Sequence, residues 1–181
     1  MRVISGSARG RKLKEPGGNK IRPTSDRVKE SVFTIIQFDI EGRRVLDLFA
    51  GTGQYGIEAL SRGAKSAVFI DNFAESIKLV KENVQKCGFS DLSNIQARDA
   101  LRFLENKDKY DLIFIDPPYD TTLANDAIER IVLFDKLNIN GIIITELKAD
   151  NISPQVQNPY SLEKEYKYGG VKIVKYTRSN D

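Results

Sequence analysis

Apolar positions along this chain repeat with two alternating periods. Val45 to Phe49 is a short run rich in branched side chains, the composition of a strand buried on both faces of a parallel sheet. It breaks at Gly51, Gly53 and Gly56, and Ile57-Glu58-Ala59-Leu60 then reads as a helix ending near Arg62-Gly63, with the glycine as C-cap. Ser66 to Ile70 is a second run of the same kind, closed by Asp71. From Glu75 to Lys86, the residues Ile77, Val80 and Val84 stand at i, i+3 and i+7, which predicts an amphipathic helix stopped by Gly88. Ile95 to Arg98 is a weak third strand leading to Asp99, and Ala100 to Leu104 a short helix. Tyr110 to Ile115 is the fourth strand, Thr122 to Leu133 a further helix, and Gly141 to Glu146 the fifth strand.

The alternation then lapses. Ala149 to Pro159 holds two prolines and three Asn or Asp residues and reads as loop. Leu162 to Lys167 and Val171 to Tyr176 alternate polar and apolar positions across Gly169-Gly170, which predicts a hairpin. Five strand–helix units and a hairpin make an α/β fold, an open seven-stranded sheet that is mostly parallel with an antiparallel C-terminal hairpin.

Ahead of the first strand the pattern is different. Arg2-Val-Ile-Ser and Gly10-Arg-Lys-Leu-Lys look like two short strands of a small N-terminal β-hairpin, and Pro16-Gly17-Gly18-Asn19 is a turn. Pro23 precedes Thr24 or Ser25 as a helix N-cap, with Asp26 in the first turn. Val28, Val32, Phe33 and Ile36 give that helix a core face, and Arg27 and Lys29 are expected on the opposite one. We therefore divide the chain into an arm, residues 1–22, and a main domain, residues 23–181.

Charge sharpens this division. Residues 1–30 carry nine Lys or Arg against three acids, a balance of +6 on a chain whose total is +3, which leaves −3 for the remainder. A basic arm on a mildly acidic body points to a polyanionic partner. One cysteine, Cys87, excludes a disulfide framework, and the lack of any histidine argues against zinc or His-based catalysis, so no metal is expected. Proton chemistry is left to carboxylates, Lys, Tyr or the backbone. No apolar run approaches membrane-spanning length and no apolar signal segment opens the chain, which predicts a cytoplasmic protein without a membrane partner.

In an open α/β sheet the ligand lies beyond the carboxyl ends of the strands. Those ends carry Asp47 with Gly51 and Gly53, then Asp71, Asp99 and Asp116. Gly51-x-Gly53-x-x-Gly56 satisfies the dinucleotide fingerprint, so a nicotinamide-dependent oxidoreductase is one reading of it. Asp71 lies 20 positions after Gly51, the spacing at which an acid accepts from ribose hydroxyls; Asp99 could accept from an adenine amino group, and Asp47 could hold an ammonium or orient the loop. So many acids near the turn make a pyrophosphate unfavourable and suit a cationic nucleoside, S-adenosylmethionine, better. Asp116-Pro117-Pro118-Tyr119 then discriminates. The Asp116 carboxylate and the Pro117 carbonyl can together take both hydrogens of an exocyclic amino group and expose its lone pair to a methyl donor, while Tyr119 can stack on the base.

Several motifs together resemble a known family. Asp116-Pro-Pro-Tyr119 and Asp47-Leu-Phe-Ala-Gly-Thr-Gly53 resemble the motifs of amino-group methyltransferases acting on nucleic-acid bases. Arg2-Val-Ile-Ser-Gly, Arg9-Gly-Arg-Lys-Leu13, Arg22-Pro-Thr-Ser-Asp-Arg-Val-Lys-Glu30 and Glu58-Ala-Leu-Ser-Arg-Gly-Ala64 resemble the RsmD family, which methylates guanine N2 in bacterial 16S rRNA. The resemblance runs over essentially the whole chain. It implies a Rossmann-like class I methyltransferase whose cofactor S-adenosylmethionine contacts Asp47, Phe49, Gly51, Gly53, Asp71, Asn72, Asp99, Ala100 and Asp116. Asp116, Pro117 and Tyr119 would grip the guanine, and Arg9, Arg11, Lys12, Arg22 and Arg27 would hold rRNA, in a partly assembled small subunit, with the enzyme a monomer. Gln54-Tyr55 stands where smaller residues are usual in that family, and Ser5 where a glycine is common. An adenine-N6 methyltransferase and a non-catalytic ribosome assembly factor would share most of these features.

Overall fold

One sheet organises the chain. In chain order its strands are β1 (Arg44–Leu48), β2 (Ser66–Asp71), β3 (Ser93–Ala97), β4 (Tyr110–Ile115), β5 (Leu137–Lys148), β6 (Tyr160–Tyr168) and β7 (Val171–Arg178). They lie side by side in the order β3-β2-β1-β4-β5-β7-β6. β1 to β5 are parallel, and β7 runs antiparallel between β5 and β6. This is a computed structural model, and it describes residues 1–17, 26–118 and 121–180.

The helices are α1 (Asp26–Ile35), α2 (Gln54–Ser61), α3 (Ala74–Cys87), α4 (Ala100–Phe103) and α5 (Leu123–Leu133). They cover both faces of the sheet. On one face Val28, Val32 and Phe33 of α1, Ile57 and Leu60 of α2 and Val80 and Val84 of α3 pack with Phe69 and Phe114. On the other, Phe103 of α4 and Ile128 and Ile131 of α5 pack with Leu46, Ile113 and Ile143. Strands buried on both faces need apolar residues at successive positions, which is why β1 and β4 read as continuous hydrophobic runs. Chain order reverses between β1 and β4, and this switch point opens the crevice beyond their carboxyl ends.

Two expectations are refined. The N-terminal hairpin takes the form of a single antiparallel bridge, Arg2 with Lys12, around a turn closed by Gly10 N–H to Val3 O at 2.9 Å. The arm nevertheless belongs to the core, because Val3, Ala8 and Leu13 are buried. Lys29 is the clearer correction. It was expected on the outer face of α1, but its side chain is completely buried, 3.6 Å from the equally buried Glu58, and donates to Arg2 O at 2.6 Å. Helical periodicity alone cannot anticipate a lysine drawn inward by a carboxylate 29 residues away. The expected N-cap at Thr24 or Ser25 lies outside the described residues.

Candidate active site

The loop after β1 is fixed by the acids that flank it. Phe49, Gly51 and Gly53 all have positive φ (69°, 57° and 77°), a conformation a phenylalanine holds only when its surroundings impose it. Ala50 N–H donates to Ile70 O at 2.9 Å and Gly51 N–H to Asp71 Oδ2 at 2.9 Å, so the loop is tied to β2. The other oxygen of Asp71 accepts from Phe73 N–H at 2.9 Å and thereby sets the entry to α3. Asp47 accepts from Gly56 N–H at 2.9 Å. Of the two roles open to Asp47, orienting the loop is the one the geometry displays. Asp99 caps α4, accepting from Arg102 N–H at 2.9 Å.

Asp47 is 2% exposed, and burial pushes its carboxyl up to about 8. The Gly56 N–H opposes that shift, while Asp116 and Asp71 add to it. At neutral pH the group is mostly protonated, which lowers the negative charge beneath the loop.

Around this loop lies a cleft of about 1160 Å³. Phe49, Gly51, Asp71, Asn72, Asp99, Ala100, Asp116 and Pro117 all line it. Asp47 and Gly53 are not among its lining residues. A Cβ on Gly53 would sit 3.3 Å from Ile57 Cδ1 and Val80 Cγ1, so this glycine meets the core. Gly56 is tighter still, with Phe69 Cε1 2.3 Å from where its Cβ would be. Tyr119 and Arg22 lie outside the described residues.

The opposite wall comes from elsewhere in the chain. Met1, Val28, Glu146, Tyr168 and Val171 face the cleft, and none of them was among the expected site residues. Glu146 lies near the carboxyl end of β5, one residue past Thr145, which pairs with Ile115 of β4, and so is level with Asp116 on the same rim. For Tyr168 no local signal exists; it is an alternating residue of a hairpin strand. Five carboxylates (Asp71, Glu75, Asp99, Asp116 and Glu146) line the cleft, and its described lining residues include no Lys or Arg.

The unusual pair Gln54-Tyr55 lines the cleft at the start of α2. The Tyr55 ring turns into the core and stacks on Phe114 at 5.1 Å, with Phe33 6.2 Å away. Gln54 is buried at the start of α2, and its Oε1 has no hydrogen-bond partner among the described residues.

The basic residues are scattered. Arg9, Arg11 and Lys12 are exposed, but the turn that bears them packs beside Ser61, and the Arg11 guanidinium donates to Lys86 O. Ser61 and Lys86 stand in the last turns of α2 and α3, so this turn lies roughly 10 Å or more from the cleft end of those helices. Arg27, on the first turn of α1, is one residue from the cleft-lining Val28.

Comparison with known proteins agrees with this geometry. A family described as "Conserved hypothetical protein 95" matches residues 1–177. The chain belongs to this family, the RsmD family. Among RsmD relatives, the ribosomal RNA small subunit methyltransferase D of Escherichia coli is 35% identical, with 98% of this chain and 90% of that protein covered. The Haemophilus influenzae protein of the same name is 36% identical over 86% of this chain and 83% of its own length. Among solved structures, the Escherichia coli protein yhhF superposes with a TM-score of 0.91 at 30% identity, covering 100% of this chain and 99% of the other. The RNA methyltransferase of Salinibacter ruber, solved with S-adenosyl-L-homocysteine, has a TM-score of 0.67 at 16% identity over 88% and 95% of the two chains, a likeness of fold alone. The two arm-related motifs that resemble this family meet in space. Glu58 accepts from Ile4 N–H at 2.7 Å and Ser5 N–H at 3.0 Å, and Ser61 Oγ donates to Ser5 O at 2.5 Å. A Cβ on Gly6 would fall 1.7 Å from Ser61 O. Position 5 takes part through its backbone, so serine in place of glycine is accommodated there.

Proposed function

We propose that this chain is an S-adenosylmethionine-dependent rRNA methyltransferase that places a methyl group on the exocyclic N2 of a guanine in 16S rRNA. The observation that carries the reading is the charge of the cleft: five carboxylates and no Lys or Arg among its described lining residues. A pyrophosphate would meet uncompensated repulsion there, whereas a nucleoside with a sulfonium and an ammonium suits that wall. The donor set fits the cofactor. We assign Asp71 and Asn72 to the ribose, Asp99 and Ala100 to the adenine, and Phe49 and Gly51 to the methionine end, a reading supported by their shared place in the cleft lining, with Asp47 and Gly53 shaping the loop from behind. When bound, the cofactor supplies a methyl group activated by positive sulfur.

The remaining work falls to the chain. Asp116 and Pro117 line the cleft at the end of β4, where the carboxylate and the Pro117 carbonyl take the two amino hydrogens of the base. Holding both hydrogens would direct the nitrogen lone pair at the bound cofactor's methyl group, which would pass from sulfur to nitrogen with the sulfur keeping the bonding pair, while one amino proton would leave toward Asp116 or solvent. Tyr119 is proposed to stack on the base. The arm, residues 1–22, and Arg27 are proposed to meet the RNA in an assembling small subunit.

Nucleoside mass spectrometry of 16S rRNA from cells with and without the protein tests this reading. N2-methylguanosine that disappears with the protein is the expected result; N6-methyladenosine loss, or an altered particle with unchanged nucleosides, would replace it with one of the alternatives. In vitro, Asp116→Ala is expected to lower kcat roughly 100-fold or more while RNA affinity stays within about twofold.

A further inference from the structure

A second depression shares a wall with the cleft. It is an open groove of about 530 Å³ between α1 and β6, lined by Arg27, Glu30, Ser31, Thr34, Tyr166 and Tyr168. Tyr168 lines both, so the groove continues the cleft away from the sheet switch point. Its chemistry is unlike that of the cleft. Tyr166 and Tyr168 are half-buried and stand two apart on β6, and both pack on the same side, against the core beneath α1. The Lys164 ammonium lies 5.1 Å from the Tyr166 ring centroid. Arg27 is exposed on the facing helix and forms no ion pair among the described residues.

Alternate residues of a strand are about 6.8 Å apart, too far for both rings to join one continuous base stack. Two tyrosines at that spacing can each take one base of an unstacked strand, with Arg27 and Lys164 nearby for the phosphates. Glu30, the one carboxylate among the described lining residues, suits a base amino group. A base turned into the cleft leaves its neighbours without a stacking partner, and a groove that begins at the cleft's own wall is where they would find one. Arg9 and Arg11, packed by the far ends of α2 and α3, are poorly placed for that task.

We propose that this groove binds the single-stranded nucleotides adjoining the target base, with bases stacked on Tyr166 and Tyr168 and phosphates beside Arg27 and Lys164. The inference rests on the rRNA methyltransferase reading above. The test uses the full chain and the 16S rRNA substrate that the wild type methylates, a fragment or an assembling small-subunit particle, with S-adenosylhomocysteine present. Wild type that methylates neither would sink the parent reading before any variant is made. The variant Tyr166→Leu keeps apolar volume against the core and removes the ring that lines the groove and not the cleft. Its RNA Kd by fluorescence anisotropy is expected to rise roughly fivefold or more, with S-adenosylhomocysteine affinity by calorimetry unchanged and Tyr166→Phe behaving as wild type. An unchanged RNA Kd overturns the proposal, as does an equal fall in S-adenosylhomocysteine affinity. Where fragment and particle are both methylated, so does a defect seen only on the particle, which would make the occupant a ribosomal protein. Should the leucine variant fail to fold, Arg27→Ala/Lys164→Ala decides: the slope of log Kd against log salt is expected to shrink by about one to two, and an unchanged slope is a refutation.

Discussion

The two walls of the cleft are held in place by different means. On the wall built from β1 to β3, each acid braces the loop next to it: Asp47 takes the Gly56 N–H, Asp71 those of Gly51 and Phe73, and Asp99 that of Arg102. On the facing wall, Met1, Val28, Glu146 and Tyr168 arrive from four separate segments. The arm and α1 are joined there through one buried pair. Glu58 accepts from Ile4, Ser5 and Arg62, and stands 3.6 Å from Lys29, which in turn holds Arg2. Groups held by local turns can be disturbed one at a time, while a wall assembled at long range depends on its joint.

Breaking the joint should therefore have the largest effect. Glu58→Ala strands the Lys29 ammonium, whose pKa burial already depresses against the opposing pull of Glu58, and leaves two arm amides without their acceptor. A loss of about 3–5 kcal/mol in urea unfolding is expected, with the arm becoming sensitive to protease. A loss under about 1 kcal/mol would mean that the far wall does not depend on this pair.

Gly56→Ala tests how closely the local wall is packed. The added methyl meets the Phe69 ring, and a cost of about 1–3 kcal/mol in the same assay is expected, partly recovered when Phe69→Leu makes room. Failure of that second change to rescue would point to strain elsewhere in the loop.

Asp47→Asn probes the charge beneath the same loop. The folded carboxyl titrates near 8, the unfolded one near 3.8, so between those values the folded state binds the extra proton. Stability of the wild type must then fall as pH rises from about 4 to about 8, and the asparagine variant should lose that slope and be the more stable at pH 9. Parallel stability–pH curves for the two proteins would contradict it. The smallest effect is expected from Asp99→Ala. In the ligand-free protein it removes the cap of the four-residue α4, for about 1 kcal/mol or a fall in Tm of about 2–4 °C by calorimetry.

What could be read in advance follows the same division. The strand-end acids and the glycine turn were legible because each lies within a strand–turn–helix unit whose hydrophobic period announces it. Glu146 carried the same signal near the end of β5, whereas Tyr168 carried none. The roles expected of Arg9 and Arg11 came from the charge of the arm and the family resemblance, and neither says that the Arg11 guanidinium will donate to the end of α3. Arg22 and Tyr119 lie outside the described residues.

By itself, then, the order of residues determined the elements, the parallel sheet and the acid-rimmed loop that receives a ligand. These depend on spacing within a segment: period two or 3.6, and a glycine where φ must be positive. Tertiary structure alone decided that Lys29 turns inward to Glu58, that Asp47 is buried enough to keep its proton, and that Tyr168 joins the cleft to the groove beside it. The cost of burying a charge or an aromatic depends on partners that only long-range packing supplies, and no local pattern names them.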